Sequence, residues 1–304
     1  MSTSAPARPA SSADAHAAGA SPARAGRDRD ARGLGAVRAS MPRLAWYVAC
    51  GCVALLFLYP LGIMLGTALT AQDGSVGLGN LQRLLTPTGG LDLVTSLRNS
   101  VVVSLLVTAL TVVVSTLAGY AFARLPFRGS DLVFFLVLIT FMIPFQAIIT
   151  PLFLTLIELD LDNSLVGLSL VLATFNLPFG IFLMRNSFAA VPASLEEAAL
   201  IDGNTPLQAM RRVLLPIAIP GVVSTALLTF FSAWNDFFAT LILITDQSLY
   251  TLPVSLNILS AGQNNTVDWG LMQTGVAVTV IPCVVLYLLL QRYYVAGLIS
   301  GAVK

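Results

Sequence analysis

The stretch SLEEAALIDGNTPLQAMRRVLLP, Ser194 to Pro216, is polar, charged and broken by a glycine, and it interrupts a chain that is otherwise strongly apolar. Ser194 and Glu197 stand at the spacing S-x-x-E, in which the serine caps a helix start and the glutamate reaches back to it. That spacing predicts a helix over Leu195 to Asp202. Gly203 stands where such a helix stops, because glycine adopts the left-handed conformation without a Cβ penalty. Thr205 and Gln208 repeat the pattern as T-x-x-Q, with Pro206 suited to the first helical position. The second helix runs to about Leu215, and Pro216 and Pro220 accompany the passage into the next apolar run. Helices this short are marginal alone in water, so they pack on something. Leu195, Leu200, Ile201, Leu207 and Met210 supply apolar contact, and Ala198 and Ala199 allow close approach. Two readings stay open on the residues alone: a structured connector that packs only on its own chain, and a hairpin that docks on a partner. Glu196, Glu197 and Asp202 against Arg211 and Arg212 leave it slightly acidic, unlike the basic helices that read nucleic acid.

Around this stretch the chain reads as a membrane protein. Its 304 residues are 56% hydrophobic and 10% charged, with a mean hydropathy of +0.84. A soluble domain carries about 25% charged residues. Six apolar runs are long enough to cross a bilayer as helices: Leu44–Leu69, Ser100–Ala123, Leu132–Ile157, Leu165–Leu183, Ile217–Ile244 and Leu271–Leu290. In lipid each must satisfy its own backbone hydrogen bonds, which makes each a helix. The expected organisation is a disordered cytoplasmic tail over residues 1–43, rich in Ala, Ser, Pro, Gly and Arg, and a six-helix domain over 44–304. The tail is too long, and the apolar run after it too long, for a cleaved signal peptide.

Charge orients the set. With the N-terminus inside, the tail holds seven arginines from Arg8 to Arg43, the next inner loop Arg124 and Arg128, the long inner loop Arg185, Arg211 and Arg212, and the C-terminus Arg292 and Lys304. Only Arg83 and Arg98 fall outside, where Asp73, Asp92, Glu158, Asp160, Asp162, Asp246 and Asp268 lie instead. By the positive-inside rule both termini and the Ser194–Pro216 stretch are cytoplasmic.

Other features are weaker. Pro144, Pro151, Pro178 and Pro282 permit kinks in the spans. Gly62 and Gly66 form a small-xxx-small pair suited to a helix contact. Cys50, Cys52 and Cys283 lie in apolar runs and read as small buried hydrophobes, with no disulfide framework or metal site. His16, the single histidine, lies in the tail. A P-loop needs G-x4-G-K-[ST], and the single lysine is the final residue, Lys304. The chain therefore has no ordinary P-loop ATPase site. Asp236, in "WNDFF", lies deep in the fifth run, where a carboxylate is costly and a functional candidate. The alternative is that it is hydrated near the outer interface or paired with a neighbouring span. Trp234 and Asn235 beside it have the chemistry to stack on and hydrogen-bond a polar ligand, or to line a helix contact.

The pattern of the hairpin, EEAALIDGNTPLQAMRRVLLP, resembles the EAA loop of ABC importer permeases, EAA-x3-G-x9-I-x-LP. Glu197, Ala198, Ala199, Gly203, Leu215 and Pro216 match in register, and Val213 replaces the isoleucine. "RNSVVVSLLVT", "AGYAFARLPFRG", "FFSAWNDFFATLIL", "YTLPVSLN" and "QRYYVAGLISGAVK" are similar to the carbohydrate, MalG-like type of these permeases, from about residue 44 to the end. The resemblance implies an all-α ABC importer type I transmembrane domain in the bacterial inner membrane, with the loop at about 194–216 as a cytoplasmic coupling-helix hairpin. Glu196, Glu197, Ala198, Ala199, Asp202 and Gly203 would then couple to an ATPase subunit, and Trp234, Asn235 and Asp236 would line the outer substrate path. It implies a second homologous permease, two ATPase subunits that bind ATP and Mg, and an external solute-binding protein. It implies no catalytic residue, metal or cofactor on this chain.

Two other classes compete. A secondary transporter or channel independent of ATP would need its own ion-coupling or conduction site, with more intramembrane charge than Asp236 alone. An intramembrane enzyme would need nucleophile–base pairs or metal ligands in the spans, and none is evident.

Overall fold

The computed structural model describes residues 43–71, 74–86, 92–125, 127–261 and 267–302; for residues 43, 44 and 292–302 only the backbone is described. The tail expected over residues 1–43 lies, up to residue 42, outside the described residues, as does Asp73. The described residues are helical, apart from turns and one isolated bridge between Thr70 and Val76.

The chain divides into two packing units at Gly62. The first contains the start of α1 (Arg43–Leu69), an apolar helix carrying Pro60 in its second half. Cys50 and Cys52, expected as buried, are exposed on it.

The second unit, residues 63–304, contains the remaining helices. They are α2 (Gly79–Leu85), α3 (Leu93–Arg124), α4 (Ser130–Thr140), α5 (Phe145–Glu158), α6 (Leu165–Ala189), α7 (Ala193–Ile201), α8 (Pro206–Ile217), α9 (Ile219–Trp234), α10 (Phe238–Leu243), α11 (Leu252–Ala261) and α12 (Trp269–Ala302). Four described helices are long and apolar enough to cross a membrane, α1, α3, α6 and α12. The count reaches six if each of two bent pairs, α4 with α5 and α8 with α9, is one span.

Packing centres on α3 against α6, with α9 laid across both. Small residues let the first two meet. A Cβ on Gly119 of α3 would stand 2.5 Å from the Met184 Cβ of α6, and one on Gly180 would stand 3.1 Å from the Ser115 Cβ. In a bilayer such close approach, with the van der Waals contact it brings, drives helix association. The Gly62–Gly66 pair does not serve this way, since a Cβ on Gly66 meets nothing within 4 Å. The α3–α6 contact escaped the sequence reading because its small residues alternate with apolar ones on helices that are apolar all round.

Two expected spans are broken. The run Leu132–Ile157 is α4 and α5, bent by 96°. Pro144 has φ −61° and caps α5, and a proline keeps the preceding residue out of the helical region. The run Ile217–Ile244 contains α9, a break at residues 235–237, and α10. Asn235 and Asp236 cover the break. The Asn235 side chain donates to the Phe231 carbonyl at 2.8 Å. Asp236 Oδ1 accepts the Thr240 amide at 3.1 Å and lies 3.2 Å from its hydroxyl. Each freed backbone group in an apolar setting costs several kcal/mol if left bare, so these two side chains make the interruption tolerable.

At the end of the bundle away from α7, Asp92 caps α3 by accepting from the Val94 and Thr95 amides. The Thr95 hydroxyl and amide hold its carboxyl below the usual carboxylate range. At the same end Ser100 accepts the Leu252 amide, Ser96 meets Ser255 at 2.6 Å, and Asn99 donates to the Ser248 and Tyr250 carbonyls. These bonds seat the connection into α11 on α3.

Candidate functional site

The Ser194–Pro216 stretch folds as a helical hairpin. Helix α7 ends in a Schellman motif: the Gly203 amide donates to the Leu200 carbonyl at 3.0 Å and the Asn204 amide to the Ala199 carbonyl at 3.1 Å. Gly203 has φ +84°, a conformation that costs an L-residue about 1–2 kcal/mol. The Asn204 side chain adds a second donor to the Ala199 carbonyl and accepts from Arg212 at 3.0 Å. One residue therefore ties the end of α7 to the body of α8. Thr205 and Gln208 form the expected reciprocal capping box, with Pro206 at the start of α8. Such a cap contributes about 1 kcal/mol.

The first box does not form. Helix α7 begins at Ala193 after Pro192, with no side-chain cap. Ser194 is already inside the helix, so Glu197 has no cap to reach back to. Pro192 fixes the start instead, through its own φ of −57°.

Helix α8 widens to π geometry over Met210–Leu214 and bends by 78° into α9. Pro220 stands in the first turn of α9, where its missing N–H would lack a partner in any case. Met210 and Leu214 are buried with Tyr120, Met184, Phe188, Val191 and Ala218 in one apolar cluster. The hairpin thus shares a core with the ends of α3 and α6.

Two residues of α3 reach the hairpin directly. The Tyr120 hydroxyl lies 2.7 Å from Glu196 Oε1 and 3.1 Å from the Pro206 carbonyl. Arg124 donates to the Phe188 carbonyl at 2.6 Å and also to that of Val191, with its Nε 3.6 Å from Glu196 Oε2. Tyr120 carries no local motif, and Arg124 reads in the sequence only as an inner-loop charge. The available signal was a tyrosine and an arginine four apart at the end of an apolar run, on one helix face.

The six hairpin candidates separate by exposure. Glu197, Ala198, Asp202 and Gly203 are exposed, Ala199 is buried and Glu196 is partly covered. Ile201, at the end of α7, is 86% exposed, and Leu195, Leu200 and Leu207 are also open, interspersed with the exposed Glu197, Asp202 and Gly203.

Of the other three candidates, Trp234 is 1% exposed, stacked on Phe230, with its indole N–H donated to the Thr279 carbonyl at 3.1 Å. Asn235 is exposed and Asp236 partly covered at the break after α9.

The family model described as "binding-protein-dependent transport system inner membrane component" matches residues 112–300. The trehalose transport system permease protein SugB of Mycobacterium tuberculosis is 39% identical over 209 residues, 69% of this chain and 76% of its own. The trehalose/maltose transport system permease protein MalG of Thermococcus litoralis is 34% identical over 208 residues, 68% of this chain and 74% of its own. Among solved structures, a bacterial ABC transporter involved in importing the acidic polysaccharide alginate has the same fold, with a TM-score of 0.71 at 24% identity over 88% of this chain and 98% of its own.

Proposed function

Because the chain belongs to the family of binding-protein-dependent transport system inner membrane components, we propose that it is the permease subunit of an ATP-driven importer of a sugar or oligosaccharide. The sugar class is supported by its relatives, among them the trehalose and trehalose/maltose permeases. The observation that carries the mechanism is the hairpin: capped at one helix start, closed by the Schellman turn, and sharing a buried core with α3 and α6. A stiff protrusion passes on displacement, where a flexible loop would absorb it.

Its partners in this reading are a second, similar permease, two ATPase subunits that hold ATP and Mg, and an external solute-binding protein. The exposed tip of the hairpin seats in an ATPase subunit. Closure of the two ATPases draws the hairpins together and tilts the spans between inward-open and outward-open states. The excess of arginines at the hairpin end supports a cytoplasmic position for that end and for both termini. Of the proposed outer-path residues, Asn235 is the exposed one and is best placed to meet solute. Asp236 supports it by holding the start of α10, and Trp234 by packing behind.

Purification of the assembled complex, followed by identification of the ligand held on its binding protein, tests this reading. A saccharide is expected. An amino acid or an inorganic ion there overturns the sugar assignment, and a complex that lacks any ATPase overturns the whole.

A further inference from the structure

Glu196 and Glu197 are adjacent, yet their surroundings differ. Glu197 is exposed. Glu196 meets Tyr120 and Arg124 of α3, and the Arg124 and Glu196 side chains keep only 11% and 13% exposure. We propose that Glu196, Tyr120 and Arg124 form the joint through which the hairpin moves the spans, so that Glu196 is a positioning residue while Glu197 faces the partner. This rests on the hairpin being the coupling element.

Four segments converge on the joint. The Tyr120 hydroxyl stands between the two hairpin helices, within reach of the Glu196 carboxylate on α7 and the Pro206 carbonyl that opens α8. One turn further along α3, on the same face, the Arg124 guanidinium takes up the Phe188 and Val191 carbonyls. These belong to the last turn of α6 and the link after it, where unpaired carbonyls favour a cation. Arg124 Nε has no hydrogen-bond partner, so its 3.6 Å approach to Glu196 is an ion pair rather than a directed bond. Charges this well covered attract more strongly than exposed ones, and removing one leaves the other buried and unpaired.

The placement has a mechanical consequence. Helices α3 and α6 form the most extensive packed pair in the second unit. A pull on the hairpin passes through the joint into both at once. Without the joint, α7 is held through the link at Pro192 and through its apolar contacts, and part of the pull is lost in bending.

The test uses the full complex in lipid nanodiscs, with the ATPases trapped closed by ATP and vanadate. Amide hydrogen exchange is read over residues 92–104, at the far end of α3. Trapping should change that exchange in the unaltered complex; no change there contradicts the coupling reading itself. Tyr120→Phe removes one hydroxyl and keeps the ring that packs edge-on against Phe188 at 5.7 Å. In Tyr120→Phe and in Glu196→Gln, the ATPases should stay bound and hydrolyse ATP, while the far-end response falls about tenfold, within the usual span of coupling energies. Glu197→Gln should instead weaken ATPase retention. A full response in both joint variants overturns the proposal, and so does loss of the ATPases from Glu196→Gln to the extent seen with Glu197→Gln.

Discussion

The Asn204 amide donates to the Ala199 carbonyl at 3.1 Å, and the Asn204 side chain donates to the same oxygen at 3.0 Å. That double contact fixes Asn204 on the end of α7, and its side-chain oxygen accepts from Arg212 of α8 at 3.0 Å, so the two hairpin helices are tied together across the left-handed Gly203.

Replacing Gly203 by valine should therefore uncouple the complex. A β-branched residue at φ +84° is a strong backbone outlier, at a cost of about 1–3 kcal/mol. No atom within 4 Å opposes the new Cβ, so the defect is conformational and not steric. Uptake by vesicles should fall at least tenfold while the amount of protein inserted in the membrane stays as before. Normal uptake would count heavily against a rigid hairpin.

Cysteine scanning along α7 should follow exposure. Ala198 is exposed and Ala199 buried. Ala198→Cys should cross-link to a cysteine placed in the ATPase subunit, and Ala199→Cys should not. Equal cross-linking at both positions would mean that α7 is not seated on its own chain as described.

The start of α9 tolerates no side chain at Gly221. A Cβ there would stand 2.0 Å from the Ser187 hydroxyl oxygen and 2.5 Å from the Ser187 Cβ. Gly221→Ala should destabilise by about 1–3 kcal/mol, as overpacking does, visible as a lower melting temperature in detergent. Adding Ser187→Gly removes both clashing atoms and leaves Met184 Sδ, 3.9 Å away, as the next neighbour. The double variant should recover most of the loss; failure to recover would mean that the two helices meet elsewhere.

Asp92 gives a pH dependence. Its carboxyl is held below its ordinary value of 3.8 by the Thr95 hydroxyl and amide. A depressed acid contributes stability above its unfolded value, and that contribution is lost as pH falls through the folded one. Asp92→Ala should therefore be less stable than the unaltered chain at neutral pH by the worth of a cap, about 1 kcal/mol, and so melt at a lower temperature. The gap should narrow below pH 3.8. A gap that persists undiminished at pH 2 would show that the carboxylate is not the stabilising group.

Legibility in the sequence followed the locality of the physics. The Thr205–Gln208 box, Gly203 and Pro206 act within four residues of themselves, and the structure places each as its spacing required. Ser194 misled because its S-x-x-E spacing was matched while Pro192, two residues earlier, set the helix start. The breaks after Thr140 and Trp234 are marked in the sequence by Pro144 and by Asn235–Asp236, but the high average hydropathy around them reports length and burial, not direction. Tyr120 and Arg124 meet the hairpin from 76 and 72 positions away, a distance across which no local pattern speaks.

Vesicles containing the whole complex and the sugar found on its binding protein, with ATP hydrolysis abolished in the ATPase subunits and proton and sodium gradients intact, test whether an external ATPase drives this chain through its hairpin. Uptake should stop. Uptake that continues on the gradients alone would rule out an ATP-driven hairpin.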